Sequence, residues 1–234
     1  MPDQDLIDRL QFIQSAERLK NVLRSGHTSE GRRESTPEHT WRLCLLAMVL
    51  RDRLPPLDFE RLLKMCVLHD LGEALHGDVP AVDQAAPGAK AADERQDLIT
   101  LMQPLPAHLQ AEFLALWDDY EAAATPEARA AKALDKLETI IQHNQGANPP
   151  DFDYAFNLAY GRKHTATEPL YAALRALVDV QTQAHADAQA DLRRSLLVLR
   201  AVTAAGSFPK PTAIQRGLRI GLGLVLGARG GEGA

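Results

Sequence analysis

Apolar residues recur every three to four positions along almost the whole chain, and runs that alternate β-branched with polar residues are missing. A 3.6-residue period lets a helix bury one stripe, whereas a half-buried strand needs a period of two, so the sequence predicts an all-α fold. Leu6, Leu10, Ile13, Leu19 and Val22 mark one side of a first helix from about residue 5 to 23, ending near Ser25-Gly26. A polar, basic stretch leads to Ser35. Thr36-Pro37-Glu38 then offers an N-cap, a first-turn proline and a first-turn acid for a helix to about residue 53. Pro55-Pro56-Leu57-Asp58 breaks the chain and caps a third helix whose stripe is Phe59, Leu62, Leu63, Cys66 and Val67. Gly72 and the Gly77-Asp78-Val79-Pro80 turn end it, and an Ala/Gly/Pro loop runs through Lys90. Further helices are expected near 93–103 and 106–124, and Thr125-Pro126-Glu127 opens another to about residue 144. Asn148-Pro149-Pro150-Asp151 interrupts, and the remainder to Ala205 reads as helix broken near Gly161. Residues 1–205 are thus expected to form a single helical domain. Residues 206–234, rich in glycine with scattered Arg216, Arg219 and Arg229, read as a tail with no assigned function.

A chain of 234 residues, 45% hydrophobic and 24% charged, can bury one sizeable core, and this balance excludes disorder, collagen and a membrane bundle. Its net charge of −5 argues against a nucleic-acid partner. The longest apolar stretch near the end, 220–228, is far short of the roughly 20 residues a spanning helix needs, so no membrane partner is expected. Cys44 and Cys66 lie inside apolar runs and read as reduced core residues. The first twenty residues mix acids and bases without an apolar segment, the pattern of a protein without a secretory signal, and a cytoplasmic location is expected.

The informative residues are polar ones standing where the helical pattern calls for apolar ones. His39 is in register with Leu43, Leu46 and Leu50; Asp70 continues Phe59, Leu63 and Cys66; His69 continues Leu62 and Met65. A carboxylate carried inward must be protonated, paired or given a metal, because burying it alone costs several kcal/mol. Asp135 lies beside the stripe Leu134, Leu137 and Ile141, on a face of small residues (Ala128, Ala131, Thr139) that suits the wall of a cleft. The remaining histidines, His27, His76, His108, His143, His164 and His185, read as surface residues, His76 standing out because it lies between Glu73 and Asp78.

The order His39, His69-Asp70, Asp135 resembles the H…HD…D signature of the HD-domain metal-dependent phosphohydrolases. The run His69-Asp70-Leu71-Gly72-Glu73 through Gly77-Asp78-Val79-Pro80 resembles the HD-x-x-E-x-x-x-G-D-x-P segment of the branch that contains the 5′-deoxynucleotidases. Leu19-Lys20, Leu23-Arg24-Ser25-Gly26 and Arg32-Arg33-Glu34-Ser35 before Glu38-His39 follow the same branch, and the resemblance covers roughly residues 6–145. Where the branch commonly carries an aromatic after the first helix, this chain has Ser25-Gly26-His27.

The resemblance implies an all-helical, often dimeric hydrolase that removes the 5′-phosphate from deoxynucleoside monophosphates, with a homodimer as its expected state. It implies His39, His69, Asp70 and Asp135 as ligands of one divalent transition metal. A mixed nitrogen and oxygen set suits Mn, Co, Fe, Ni or Zn better than Ca or Mg. Two aspartates balance the ion's charge, so a phosphate dianion still needs cations, and Arg24 and Arg32 on the segment leading to His39 are the candidate substrate-binding residues. Glu73, one turn beyond the ligands, is expected to position or deprotonate the attacking water, and Asp78 to protonate the leaving 5′-oxygen or hold a sugar hydroxyl. Two alternatives stay open: an HD hydrolase of a triphosphate, alarmone or cyclic nucleotide, and a non-catalytic metal or nucleotide sensor.

Overall fold

The computed structural model describes residues 3–78 and 89–204, with the side chains of 89 and 202–204 excepted. Val79, Pro80 and the proposed 206–234 tail lie outside the described residues. Helix α1 (Gln4–Ala16) passes into a 3-10 turn (Glu17–Asn21) and then a two-stranded antiparallel hairpin, β1 (Leu23–His27) and β2 (Arg33–Ser35). Helices α2 (Thr36–Val49), α3 (Phe59–Leu68), the single turn α4 (Glu73–His76), α5 (Ala89–Leu101), α6 (Ala107–Ala122) and α7 (Pro126–Gln145) follow. The short helices α8 (Tyr154–Ala159) and α9 (Arg162–Thr165) precede the long α10 (Pro169–Ala204). The all-α expectation therefore holds, with the small hairpin as an addition. Among the described residues no helix is long and apolar enough to cross a membrane. Everything discussed below belongs to one compact unit, Met1–Asp187; a second begins at Ala188.

Helix α7 is the axis of the first unit. Ala128, Ala130, Ala131 and Ala133 are fully buried on it, and such small side chains let α2, α3 and α6 approach closely. Leu43, Leu62, Leu134 and Leu137 fill the space between these helices, each contributing roughly 1.5–3 kcal/mol by leaving water. The caps read from sequence largely recur: Asp58 accepts from the Arg61 amide (3.0 Å) at the start of α3, and Thr125 from the Ala128 amide (3.2 Å) at the start of α7. At α2 the cap moves back one residue. Ser35 takes the N-cap position, and its amide donates to Glu38 at 2.9 Å. Thr36 is thereby freed and fully buried.

The start of the chain departs from expectation. Helix α1 ends at Ala16, and Leu6, Leu10 and Ile13 of the predicted core stripe are exposed, while Phe12 is the buried residue of this helix. The stripe's periodicity correctly marks a helix, but within α1 the core is met by Phe12, tilted against Phe113 of α6 at 6.3 Å, while Leu19 and Val22 of the stripe pack inward beyond the helix end. The basic stretch is ordered by the hairpin. Arg33 donates to the carbonyls of Leu23 and Arg24 (2.8 and 2.9 Å), which fixes the strand carrying Arg24 against α7.

Candidate functional site

Three elements converge on one point. Helix α2 presents His39, the end of α3 presents His69 and Asp70, and α7 presents Asp135. His39 Nε2 lies 3.2 Å from Asp135 Oδ1 and 3.9 Å from Asp70 Oδ2, and His69 Nε2 lies 3.0 Å from Asp70 Oδ2. Donor atoms of His39, His69 and Asp70 all fall within 4.8 Å of one another. The structure thus gathers His39, His69 and Asp70 into one group and sets Asp135 against His39, although the four are spread over almost a hundred residues of sequence.

The other side of each ligand is held. His69 Nδ1–H donates to the Cys66 carbonyl (2.8 Å), leaving Nε2 as the unprotonated face. His39 Nδ1 is engaged by Glu138, whose second oxygen accepts from Arg42 Nε at 2.5 Å. Tyr120 donates its hydroxyl to Asp135 Oδ2 (2.8 Å), and Trp117 donates its indole N–H to the His69 carbonyl (3.0 Å). Orienting partners of this kind are what a ligand set needs to keep its lone pairs aimed. Glu138, Tyr120 and Trp117 were not foreseen. Glu138 alone carried a signal, lying one helical turn from Asp135 on the same helix.

The Nε2 atoms of both histidines are buried and lie against carboxylate oxygens, His39 at 3.2 Å from Asp135 and His69 at 3.0 Å from Asp70, without a well-aligned hydrogen bond. Buried polar atoms without a well-aligned partner are rare, and a cation shared with the facing carboxylates would satisfy both. The electrostatics say the same. Burial and Arg24 push the His39 imidazole down, but Glu138 and Asp135 outweigh them and raise its pKa to about 9. Burial alone would raise Asp135 as well, yet Lys136, His39 and His69 hold it well below the usual carboxylate range. The cluster is a nest of ionised carboxylates that attracts positive charge, and its residues fit a divalent cation.

Arg24 lies beside the cluster. Its guanidinium donates to Asp70 Oδ2 and to Thr139 Oγ1 (both 3.1 Å), with Glu34 at 3.7 Å, and it lines the cavity above the ligands. Arg32 is not brought there. It is exposed and held bidentately by Glu38 (2.5 and 2.8 Å), because the hairpin turns its side chain towards the start of α2 rather than inward. Glu73 and Asp78 both line the cavity, and Lys90, unforeseen within a stretch read as loop, bridges them at 3.3 Å from each. Thr36 donates its hydroxyl to Glu73 at 3.2 Å. Burial, then the charges of Asp70 and Asp78, push the Glu73 carboxyl up to about 9, against the pull of Lys90 and Arg24. Gly72 makes this placement possible, since a Cβ there would meet the Glu94 carbonyl oxygen at 2.4 Å. His76 turns outward to Asp97 (2.6 Å). His143, expected at the surface, is instead half-buried and lines the cavity.

The cavity encloses about 780 Å³, and part of its wall comes from α8 and the residues before it. A helical bundle that gathers a histidine, a His-Asp pair and a distant aspartate around one cavity defines an HD-domain protein. The family model described as "HD domain" matches residues 16–175, and the chain belongs to that family. The 5′-deoxynucleotidase HDDC2 of Homo sapiens is 32% identical over 138 residues, 58% of this chain and 67% of that protein. The 5′-deoxynucleotidase hdd1 of Schizosaccharomyces pombe is 35% identical over 137 residues, 56% of this chain and 68% of that protein. The matched stretch therefore spans about two thirds of these relatives. A crystal structure from Magnetospirillum magnetotacticum MS-1, described as a predicted metal-dependent phosphohydrolase, superposes with a TM-score of 0.68 at 28% identity, over 78% of this chain and 95% of that one.

Proposed function

We propose that the protein is a phosphomonoesterase that removes the 5′-phosphate from deoxynucleoside monophosphates, with His39, His69, Asp70 and Asp135 holding one divalent transition metal. The observation that carries this reading is the convergence of the His39 and His69 Nε2 atoms on the carboxylates of Asp70 and Asp135 beside a nucleotide-sized cavity. The relatives' names point to the same substrate class. The nitrogen and oxygen donor set suits Mn, Co, Fe, Ni or Zn. Such an ion, when bound, supplies a Lewis acid for the phosphoryl oxygen and acidifies a water.

The chain's own groups do the rest. Arg24 offers its planar guanidinium to phosphate oxygens beside Asp70. Burial with Asp70 and Asp78 favours the protonated Glu73 carboxyl, whereas Lys90 and Arg24 favour the ionised form, which would orient the attacking water and accept its proton. Asp78, tied to Glu73 through Lys90, would protonate the leaving 5′-oxygen or hold a sugar hydroxyl. The water oxygen bonds to phosphorus as the bond to the 5′-oxygen breaks, giving inorganic phosphate and a nucleoside. The homodimer and cytoplasmic setting expected from sequence belong to this proposal, and light scattering reads the first.

Phosphate release from deoxy- and ribonucleoside monophosphates, a triphosphate and a cyclic nucleotide, with added Mn²⁺ or Co²⁺, tests the reading. Turnover of the deoxynucleoside monophosphates is expected. Turnover of only the larger nucleotides would move the substrate class, and tight nucleotide binding without any turnover would make the protein a sensor.

A further inference from the structure

The cavity is divided by chemistry. Three of the proposed ligands, His69, Asp70 and Asp135, line it together with Arg24, Glu73, Asp78 and Lys90, and His39 lies buried behind them. A second group of lining residues is aromatic: Phe152, Phe156 and Tyr160, each only partly buried, with Tyr160 nearest the ligands because Lys136 lies between its ring and Asp135. Phe156 and Tyr160 are one helical turn apart, with ring centroids 5.7 Å from each other, and Phe152 meets the His143 ring edge-on at 4.8 Å. The phenyl rings of Phe152 and Phe156 carry no group that can grip a phosphate. At about 780 Å³ the space is far larger than a phosphate requires and falls within the range that encloses a whole small-molecule ligand.

A second observation points to a ligand at that wall. Asn157 is almost fully buried (1% exposed) and lines the cavity, and its Nδ2 has no hydrogen-bond partner. The amide's other atom is fixed, because Oδ1 accepts from His143 Nδ1–H at 3.1 Å. Burial, the largest influence, holds the His143 pKa down at about 4, so the ring is neutral and keeps the amide oriented without adding charge. A buried N–H donor left unmet is costly, and a group that binds there is expected to accept from it.

The wall is held at a set position from the ligands. Lys136 pairs with Asp135 (2.9 Å) and lies 5.2 Å from the Tyr160 ring centroid. Gly161, at φ +68°, lets the next turn lie against Lys136, where a Cβ would sit 2.6 Å from that of the lysine.

We infer that the wall formed by Phe152, Phe156, Asn157 and Tyr160 is a nucleobase subsite: the base stacks on the aromatic rings while a carbonyl oxygen or ring nitrogen of the base accepts a hydrogen bond from Asn157 Nδ2. This rests on the nucleotide reading given above. It assigns a role to the part of the chain after residue 147, for which the sequence suggested none. Stacking tolerates any base, so the rings supply affinity, and Asn157 favours bases that present an acceptor.

The test compares a deoxynucleoside monophosphate with 2-deoxyribose 5-phosphate, which keeps the sugar and phosphate but has no base. In Phe156→Ala, and in Phe156→Leu, which retains apolar bulk without a π face, the ratio of kcat/KM for the nucleotide to that for the abasic phosphate is expected to fall roughly 5- to 100-fold. The loss should appear mainly in KM. Asn157→Asp, which keeps the acceptor for His143 and removes the donor, should lower the same ratio. An unchanged ratio in all three variants overturns the subsite. If the wild type hydrolyses neither compound, the functional reading has failed instead, and ligand-observed NMR with an unphosphorylated deoxynucleoside then decides the subsite: binding by the wild type that Phe156→Leu weakens supports it, and equal binding or none overturns it.

Discussion

Glu73 is 2% exposed, and burial followed by the charges of Asp70 and Asp78 raises its pKa from 4.5 to about 9. An acid whose folded pKa lies above its unfolded value must take up a proton on folding. The stability it contributes is complete below pH 4.5 and is lost as pH rises towards 9. At pH 7 the interval above 4.5 corresponds to about 3 kcal/mol, at roughly 1.4 kcal/mol for each pH unit, and at pH 5 to less than about 1 kcal/mol. Glu73→Gln abolishes the titration and keeps the shape. The amide oxygen can still accept from Lys90, and the amide N–H can donate to the Thr36 hydroxyl. Thermal unfolding of chelator-treated wild type and variant between pH 5 and 8 reads the difference. The variant should melt about 6–12 °C higher at pH 7 and nearly level with the wild type at pH 5, while losing most phosphate-releasing activity. A difference that does not change with pH, or a variant less stable at pH 7, would refute the electrostatic reasoning.

Other positions give sharper local tests. Glu138→Gln leaves His39 without its orienting carboxylate and should weaken metal affinity about 10- to 100-fold, measured by competition with a chelating dye. Arg32→Ala should leave kcat/KM unchanged and alter stability by no more than about 1 kcal/mol in chemical denaturation, since its partner Glu38 is also exposed. Gly161→Ala should destabilise by about 1–3 kcal/mol, because the residue sits at positive φ with Lys136 in the space a Cβ would fill; chemical denaturation measures it.

The four ligands were legible because burying a histidine or aspartate in register with leucines is costly unless something repays it, and their order along the chain matched a family pattern. Glu138 lies one helical turn beyond Asp135 on the same helix, a spacing whose meaning shows only once α2 is docked beside it and His39 meets its carboxylate. Lys90 was hidden in a stretch of alanine, glycine and proline that gives no helical signal before the docking of α5 against α4. The hairpin was missed because Leu23–His27 and Arg33–Ser35 show no alternation of apolar and polar residues. Its register depends instead on side-chain contacts such as those from Arg33 to the Leu23 and Arg24 carbonyls. The same hairpin separates two arginines that looked equivalent, sending Arg24 into the cavity and Arg32 to the surface. His143 and the aromatic wall became visible only when α8 folded back on α7, a contact between segments whose own sequences carry no recognisable motif.

The central claim is that His39, His69, Asp70 and Asp135 share one transition-metal ion. Anomalous diffraction from crystals grown with Mn²⁺ or Zn²⁺ tests it directly. The account predicts a single strong peak at about 2.0–2.2 Å from both Nε2 atoms and from an oxygen of each aspartate. A peak elsewhere, or full occupancy retained in His39→Ala, would contradict it.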